Sequence, residues 1–97
     1  MSKNKRASVS VSDAPEAVDW ILDDIHKITQ DGSPNDTRDA ALNVLEARRH
    51  QRENDIEAAM QNYKNAMLLW FHAEELQPGC WSRELLLTNR EYAKMML

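Results

Sequence analysis

The chain has 97 residues, of which 42% are hydrophobic and 29% are charged, and its formal net charge is −4. This length is that of one domain, and the composition is ordinary for a globular protein, which excludes collagen-like and low-complexity chains. The single cysteine, Cys80, excludes an intrachain disulfide framework. We therefore expect one small domain that folds without disulfides.

Residues 1–12 are polar and rich in serine, and they carry Lys3, Lys5 and Arg6 without a single acid. They contain too few apolar residues to bury a surface of their own. We expect a flexible basic tail here, followed by a single helical domain over residues 13–97. No apolar stretch of the length of a signal peptide follows these cations.

Helical periodicity begins directly after this tail. Asp13 and Glu16 have the spacing of a capping box, and Pro15 suits the first turn of a helix. Apolar residues then recur on one face as far as Ile28. The pattern predicts a first helix over about residues 14–29, and the Asp-Gly and Ser-Pro pairs that follow predict a turn. We expect Ser33 to cap the next helix.

The middle of the chain contains no glycine or proline between Pro34 and Pro78. Apolar periodicity is strong at both ends of this stretch, but residues 48–55 contain no apolar side chain. Asn54 and Asp55 within it are favourable for ending one helix and capping another. We therefore favour two helices, over about 35–51 and 55–76, against a single rod of about 64 Å at 1.5 Å per residue.

A Pro-Gly pair after residue 77 ends this region, and Ser82 is placed to cap a last helix over about 82–95. Trp81 and Leu86 have the spacing of a hydrophobic staple across that cap. The predicted fold class is all-α, a small up-and-down bundle of three to four helices whose second and third helices form an antiparallel hairpin. The expected core is Ile21, Ile25, Leu42, Leu45, Ile56, Tyr63, Met67, Trp70, Leu85 and Leu86.

Small and bulky residues follow one another at set spacings between residues 40 and 71. Those that carry the pattern are Ala47, Asn54, Ile56, Ala59, Tyr63 and Ala66. The pattern resembles one tetratricopeptide repeat, a helix–turn–helix unit of about 34 residues. It is similar as well to the hairpin of microtubule-interacting-and-transport (MIT) domains. The chain departs from the repeat at Glu46 and Phe71, where an apolar residue and a proline are usual. The resemblance implies that a groove of the hairpin binds a peptide or a helix.

Residues 66–71 are six consecutive apolar residues, which together cover every side of a helix. Such a helix is either enclosed by its neighbours or contacts a partner. Six residues span about 9 Å of helix against a membrane core of roughly 30 Å, so we expect no membrane span and a cytoplasmic location. A fully intramolecular core is the alternative to a partner contact. The candidate partner-binding residues are Met67, Trp70, Phe71, Trp20 and Trp81.

Three arginines, Arg48, Arg49 and Arg52, form the basic cluster of the helical part. One hypothesis is that they contact phosphate groups or an acidic partner. The other is that they lie on a solvated turn and pair with the acids beside them. The local charge balance favours the second hypothesis. The acids in question are Glu46, Glu53 and Asp55.

The sequence lacks the residue patterns of catalytic and metal sites. His26, His50 and His72 are too far apart in sequence for the i, i+3 or i, i+4 pairing of a helical zinc site. We expect no enzyme, no metal and no cofactor. The favoured function is a non-catalytic protein–protein interaction module, such as an adaptor, a chaperone-like binder or an inhibitor, whose partner is another protein or a second copy. The alternative is a small nucleic-acid-associated regulator that uses the basic tail and the arginine cluster.

Overall fold

The structure is a computed structural model that describes residues 19–28 and 33–97. The all-α class is confirmed, and the second, third and fourth helices agree with their predicted bounds to within one residue. The predicted tail over 1–12, and the predicted first helix before residue 19 and at residue 29, lie outside the described residues. The helices of the described part are α1 (Trp20–Ile28), α2 (Asn35–Arg52), α3 (Ile56–Leu76) and α4 (Ser82–Met95). None of these has the length and apolar character needed to cross a membrane.

The break between α2 and α3 is made by the two residues that the sequence favoured. Asn54 adopts a left-handed backbone conformation with φ of 64°, which asparagine tolerates better than most residues. Asp55 then caps α3, since its side chain accepts a hydrogen bond from the backbone N–H of Ala58 at 3.3 Å. The chain therefore forms a hairpin here, and the single long rod is excluded.

α1 lies between α2 and α4 and is tied to both by ion pairs. Asp19, just before α1, pairs with Arg48 near the end of α2. Lys27, in the last turn of α1, lies 3.4 Å from Glu84 at the start of α4. The indole of Trp20 reaches Glu91 near the other end of α4. α1 consequently runs antiparallel to both neighbours, which gives an up-and-down arrangement of four helices.

The buried faces of α2 and α3 consist largely of alanine. Small side chains at such positions allow helices to approach closely, and the remaining space is filled by a few large residues, Tyr63 and Trp70 on α3 and Trp81 before α4. The buried small residues are Ala40, Ala41, Val44 and Ala47 on α2 and Ala59, Ala66 and Ala73 on α3.

The predicted core is correct in part. Ile21, Tyr63 and Trp70 are buried, whereas Ile25, Leu45, Met67 and Leu85 are half-buried. Three assignments are wrong: Leu42 is 55% exposed, Ile56 is 40% exposed and Leu86 is 58% exposed.

The exposure of Leu42 and Leu86 follows from which of their neighbours face inward. Residues two apart on a helix point about 200° apart at 3.6 residues per turn. Val44 is fully buried on α2, so Leu42 points away from the core. Glu84 and Thr88 are buried on α4, so Leu86 between them points to the surface.

The start of α4 differs from its prediction. Trp81, not Ser82, is the N-cap residue and makes no side-chain cap, and Leu86, the predicted staple partner of Trp81, is 58% exposed. The Glu74 carboxylate instead accepts hydrogen bonds from the backbone N–H groups of Gly79 at 2.6 Å and Trp81 at 2.7 Å. These bonds lower the pKa of Glu74 and fix the loop between α3 and α4.

The start of α2 also differs. Its N-cap residue is Pro34, and no side chain caps this helix. The hydroxyl of Ser33, the predicted cap, donates instead to the carbonyl of Lys27 at 3.4 Å.

Candidate functional site

A groove of about 520 Å³ lies between α2 and α3. Its apolar residues are Leu42 from α2 and Leu68 and Leu69 from α3. Leu42 is 55% exposed and Leu68 is 62% exposed. Two neighbouring helices thus present large apolar side chains to the same open groove.

A second, smaller groove of about 250 Å³ lies between α1 and α2. Leu42 lines both grooves, so the two meet along the outer side of α2. The smaller groove is lined by Ile25, Ile28, Arg38, Ala41, Leu42 and Leu45. We term the surface formed by Ile25, Leu42, Leu45, Leu68 and Leu69 the leucine face.

The rim of the larger groove is polar. Asp39, Asn43, Asn65 and His72 line it beside the leucines. The side-chain amide of Asn43 accepts a hydrogen bond from Asn62 at 2.9 Å, which links α2 to α3 next to the groove.

One end of the larger groove is acidic. Asp39 lines the groove, and Asp36 lies one turn earlier on the same helix. The Asp36 carboxylate lies 3.9 Å from Nδ1 of His72, which is charged only when protonated. A partner with an apolar stripe and a cation at this end would complement both the leucines and the aspartates of the groove.

Trp70 and Trp81, two of the predicted partner-binding residues, lie in the core at 0% and 2% exposed. Their rings stack with centroids 5.8 Å apart and planes 17° apart. The indole N–H of Trp70 donates to the hydroxyl of Thr88 at 2.8 Å. Neither tryptophan is accessible to a partner in this fold.

The other three predicted partner-binding residues are more accessible. Trp20 is half-buried, with its ring centroid 6.4 Å from that of Trp70. Met67 is half-buried, and Phe71 is 49% exposed. Phe71 lies one turn after Leu68 on the exposed side of α3, so it borders the leucine face. The exposed apolar surface is therefore built mainly from leucines rather than from the predicted aromatic residues.

Arg48 is engaged within the fold and does not pair with the sequence neighbours considered for it. Its guanidinium donates to both carboxylate oxygens of Asp19 and to the carboxylate of Glu91. Burial disfavours the charged form, but these hydrogen bonds outweigh burial and raise the pKa of Arg48 above its ordinary value. Its positive charge is thus neutralised by two carboxylates.

Arg49 is paired as the second hypothesis expected, with Glu46 at 2.6 Å and Glu53 at 3.0 Å. Its hydrogen bonds to these two acids raise its pKa. Arg52 is exposed. The structure thus does not combine Arg48, Arg49 and Arg52 into one site with three available cations.

Within residues 19–28 and 33–97, no group of three or more His, Cys, Asp or Glu side chains is placed to hold a metal ion. Comparison of the chain with protein-family models, with curated proteins and with solved structures found no match. The functional interpretation is therefore based on the geometry of the chain itself.

Proposed function

We propose that this protein is a non-catalytic interaction module that binds an amphipathic helix of another protein on its leucine face. The observation that carries the proposal is the exposure of Leu42 and Leu68, at 55% and 62%, around one groove between two helices. A contiguous apolar surface that the monomer leaves uncovered is typical of an interaction site. A groove between packed helices is a common seat for a partner helix.

The energetics favour a contact of moderate strength. Covering the exposed parts of Leu42 and Leu68 contributes about 1–2 kcal/mol for each side chain. The half-buried Leu45 and Leu69 add less, because part of their surface is already covered. Association itself costs several kcal/mol, so we expect micromolar rather than nanomolar affinity for a single helix.

The chemistry of the groove defines the partner. Leucines along the groove fit a helix with apolar residues at i, i+3 or i+4, and i+7. Asp36 and Asp39 at one end favour a lysine or arginine at the corresponding end of that helix. Asn65 on the rim provides an amide group for its polar flank.

Such a module acts by occupying a surface of its partner, as an adaptor, a chaperone-like binder or an inhibitor does. We propose a cytoplasmic location, since the single cysteine, Cys80, is free and exposed, which suits a reducing compartment. The nucleic-acid alternative gains no support from the arginine cluster, because Arg48 and Arg49 are each paired with two carboxylates.

The proposal is tested with a synthetic 14-residue helical peptide that has a leucine stripe and lysines at one end. Its affinity is measured by calorimetry for the wild type and for the double variant Leu42→Ala/Leu68→Ala. We expect saturable binding to the wild type and at least about a tenfold loss in the double variant, which corresponds to about 1.4 kcal/mol.

Leu86→Ala is the matched control, since Leu86 is 58% exposed but lies on α4, which lines neither groove. This control should bind the peptide like the wild type. The absence of binding to the wild type, or equal affinity for all three proteins, contradicts the proposal. Sedimentation of the protein alone tests whether a second copy of the chain occupies the leucine face. A stable dimer that the double variant abolishes would assign the face to that second copy.

A further inference from the structure

Two carboxyl side chains are buried where α1 meets α4. Asp24 of α1 is 2% exposed and Glu84 of α4 is 1% exposed. Acidic residues are almost never buried to this extent unless they are paired with cations or hydrogen-bonded. Here the two carboxyls share one cation, since Arg83 lies 3.7 Å from Asp24 and 3.5 Å from Glu84, so the two acids are close neighbours across the α1–α4 contact.

The hydrogen bonding of this pair is incomplete when both groups are ionised. Asp24 Oδ2 and Glu84 Oε1 are buried and have no donor. An ionised carboxylate only accepts hydrogen bonds, whereas a protonated one also donates. One proton held between the two groups therefore provides the missing donor. Burial, followed by the hydrogen bond and the charge of Glu84, raises the pKa of Asp24 to about 7.

Two cations face the pair, but both are more exposed than the acids. Lys27 of α1 lies 3.4 Å from Glu84 with 43% of its side chain exposed. Arg83 of α4 lies 3.7 Å from Asp24 and 3.5 Å from Glu84 with 61% of its side chain exposed. Solvent weakens the attraction of such exposed cations more than it weakens the repulsion between two buried carboxylates.

The charges that the other elements bring to α1 lie at other positions along it. Val44 and Trp70 are apolar core residues around α1, and Arg38 of α2 lines the groove beside Ile25. The charged groups Arg48 of α2 and Glu91 of α4 contact the opposite end of α1, at Asp19 and Trp20. The balance of charge at the Asp24–Glu84 pair is therefore set by Lys27 and Arg83.

We propose that the Asp24–Glu84 pair makes the docking of α1 on the bundle depend on pH. In mildly acidic solution one shared proton joins the two carboxyls and holds α1 against α4. As the pH rises to neutral and above, this proton is lost, two buried carboxylates repel each other, and α1 loosens. α1 is the element suited to this role because it is the shortest of the helices in the described part of the chain, where it spans nine residues.

The direction in which pH changes the docking of α1 follows from proton linkage. A carboxyl whose pKa is higher when α1 is docked binds more protons in the docked state. Docking is therefore strongest below the ordinary pKa of 3.8 and weakens as the pH rises towards about 7. Ile25 of α1 belongs to the leucine face, so loosening of α1 would separate Ile25 from the four leucines on α2 and α3. This consequence rests on the proposed function.

The proposal is tested by hydrogen exchange of the α1 amides, corrected for intrinsic rates, at pH 5.5, 6.5 and 7.5 without any partner. We expect protection of Ile21–Ile28 to fall by at least about tenfold over this range by linkage, while amides of α3 keep theirs. Asp24→Asn, whose side chain cannot ionise and carries its own N–H donors, should remove the pH dependence. Asp23→Asn is the matched control, because Asp23 is exposed on the same helix.

Constant protection of α1 in the wild type, or an unchanged pH dependence in Asp24→Asn, overturns the proposal. A direct carboxyl titration by NMR requires no variant. An Asp24 midpoint near pH 7 supports the shared proton, and a midpoint near pH 4 overturns it. Since no partner is present, failure here leaves the peptide-binding test of the leucine face unaffected.

Discussion

The core and the leucine face of this bundle are both apolar, but they are built from different residues. The core combines alanines with Tyr63, Trp70 and Trp81, whereas Leu42 and Leu68 of the leucine face are each more than half exposed. Hydrophobicity alone does not separate these regions, because leucine is at least as apolar as tyrosine. The difference is one of shape: small residues bring helices together, and a few large rings fill the space that remains.

This contrast predicts that the two regions respond differently to truncation. Residues of the core should control the free energy of unfolding, and residues of the leucine face should control binding. Trp70 and Trp81, which sequence reasoning assigned to a partner, belong to the first group. Four substitutions, together with one control, test this separation.

The largest effect is expected for Trp70→Ala. Trp70 is fully buried, stacks on Trp81 and donates to Thr88. Its removal leaves a cavity and an unpaired hydroxyl, so we expect a loss of about 3–5 kcal/mol in the free energy of unfolding. Urea denaturation followed by circular dichroism measures this loss, and a change below 1 kcal/mol would show that the ring is not a core element.

A smaller effect is expected for Arg48→Met, which keeps much of the side-chain volume. The substitution leaves Asp19 and Glu91 without their shared cation. We expect a loss of about 2 kcal/mol, typical of a hydrogen bond to a charged group with part of its surface in solvent. Arg52→Met at an exposed position is the control and should change stability by no more than about 0.5 kcal/mol. Equal effects of the two substitutions would refute a structural role for Arg48.

Helix positions were predictable because their signals are local. The α2–α3 turn follows from Asn54 and Asp55, and the helix bounds follow from apolar periodicity. The contacts of Arg48 were not predictable, since Asp19 and Glu91 are 29 and 43 residues away along the chain. The same holds for Asp24 and Glu84, which meet only because α1 lies against α4.

The site was predicted less well than the fold. Within residues 66–71, for which the sequence left an enclosed helix and a partner contact both open, Leu68 and Phe71 are exposed and Trp70 is buried. The outward direction of Leu42 on α2 could have been predicted from the sequence. The small residues of α2 recur at helical spacing and form its inward face: Ala40, Ala41, Val44 and Ala47. Leu42 lies outside that face, so the alanine pattern itself indicates that this leucine points outward.

The smallest effect on stability is expected on the leucine face. Leu42→Ala and Leu68→Ala replace exposed side chains with a strong helix former, so each should change the unfolding free energy by no more than about 0.5 kcal/mol. Thermal denaturation of the two single variants measures this. A loss comparable to that of Trp70→Ala would mean that the leucines contribute to the core instead of a docking surface.

The most direct test of the leucine face is photocrosslinking inside the cells that produce the protein. A photoreactive amino acid replaces Leu68 in one protein and Leu86 in another, since both leucines are exposed on separate helices. We predict a discrete adduct with a second protein from position 68 and none from position 86. No adduct from position 68, or the same adducts from both positions, would contradict the assignment of this surface to a partner.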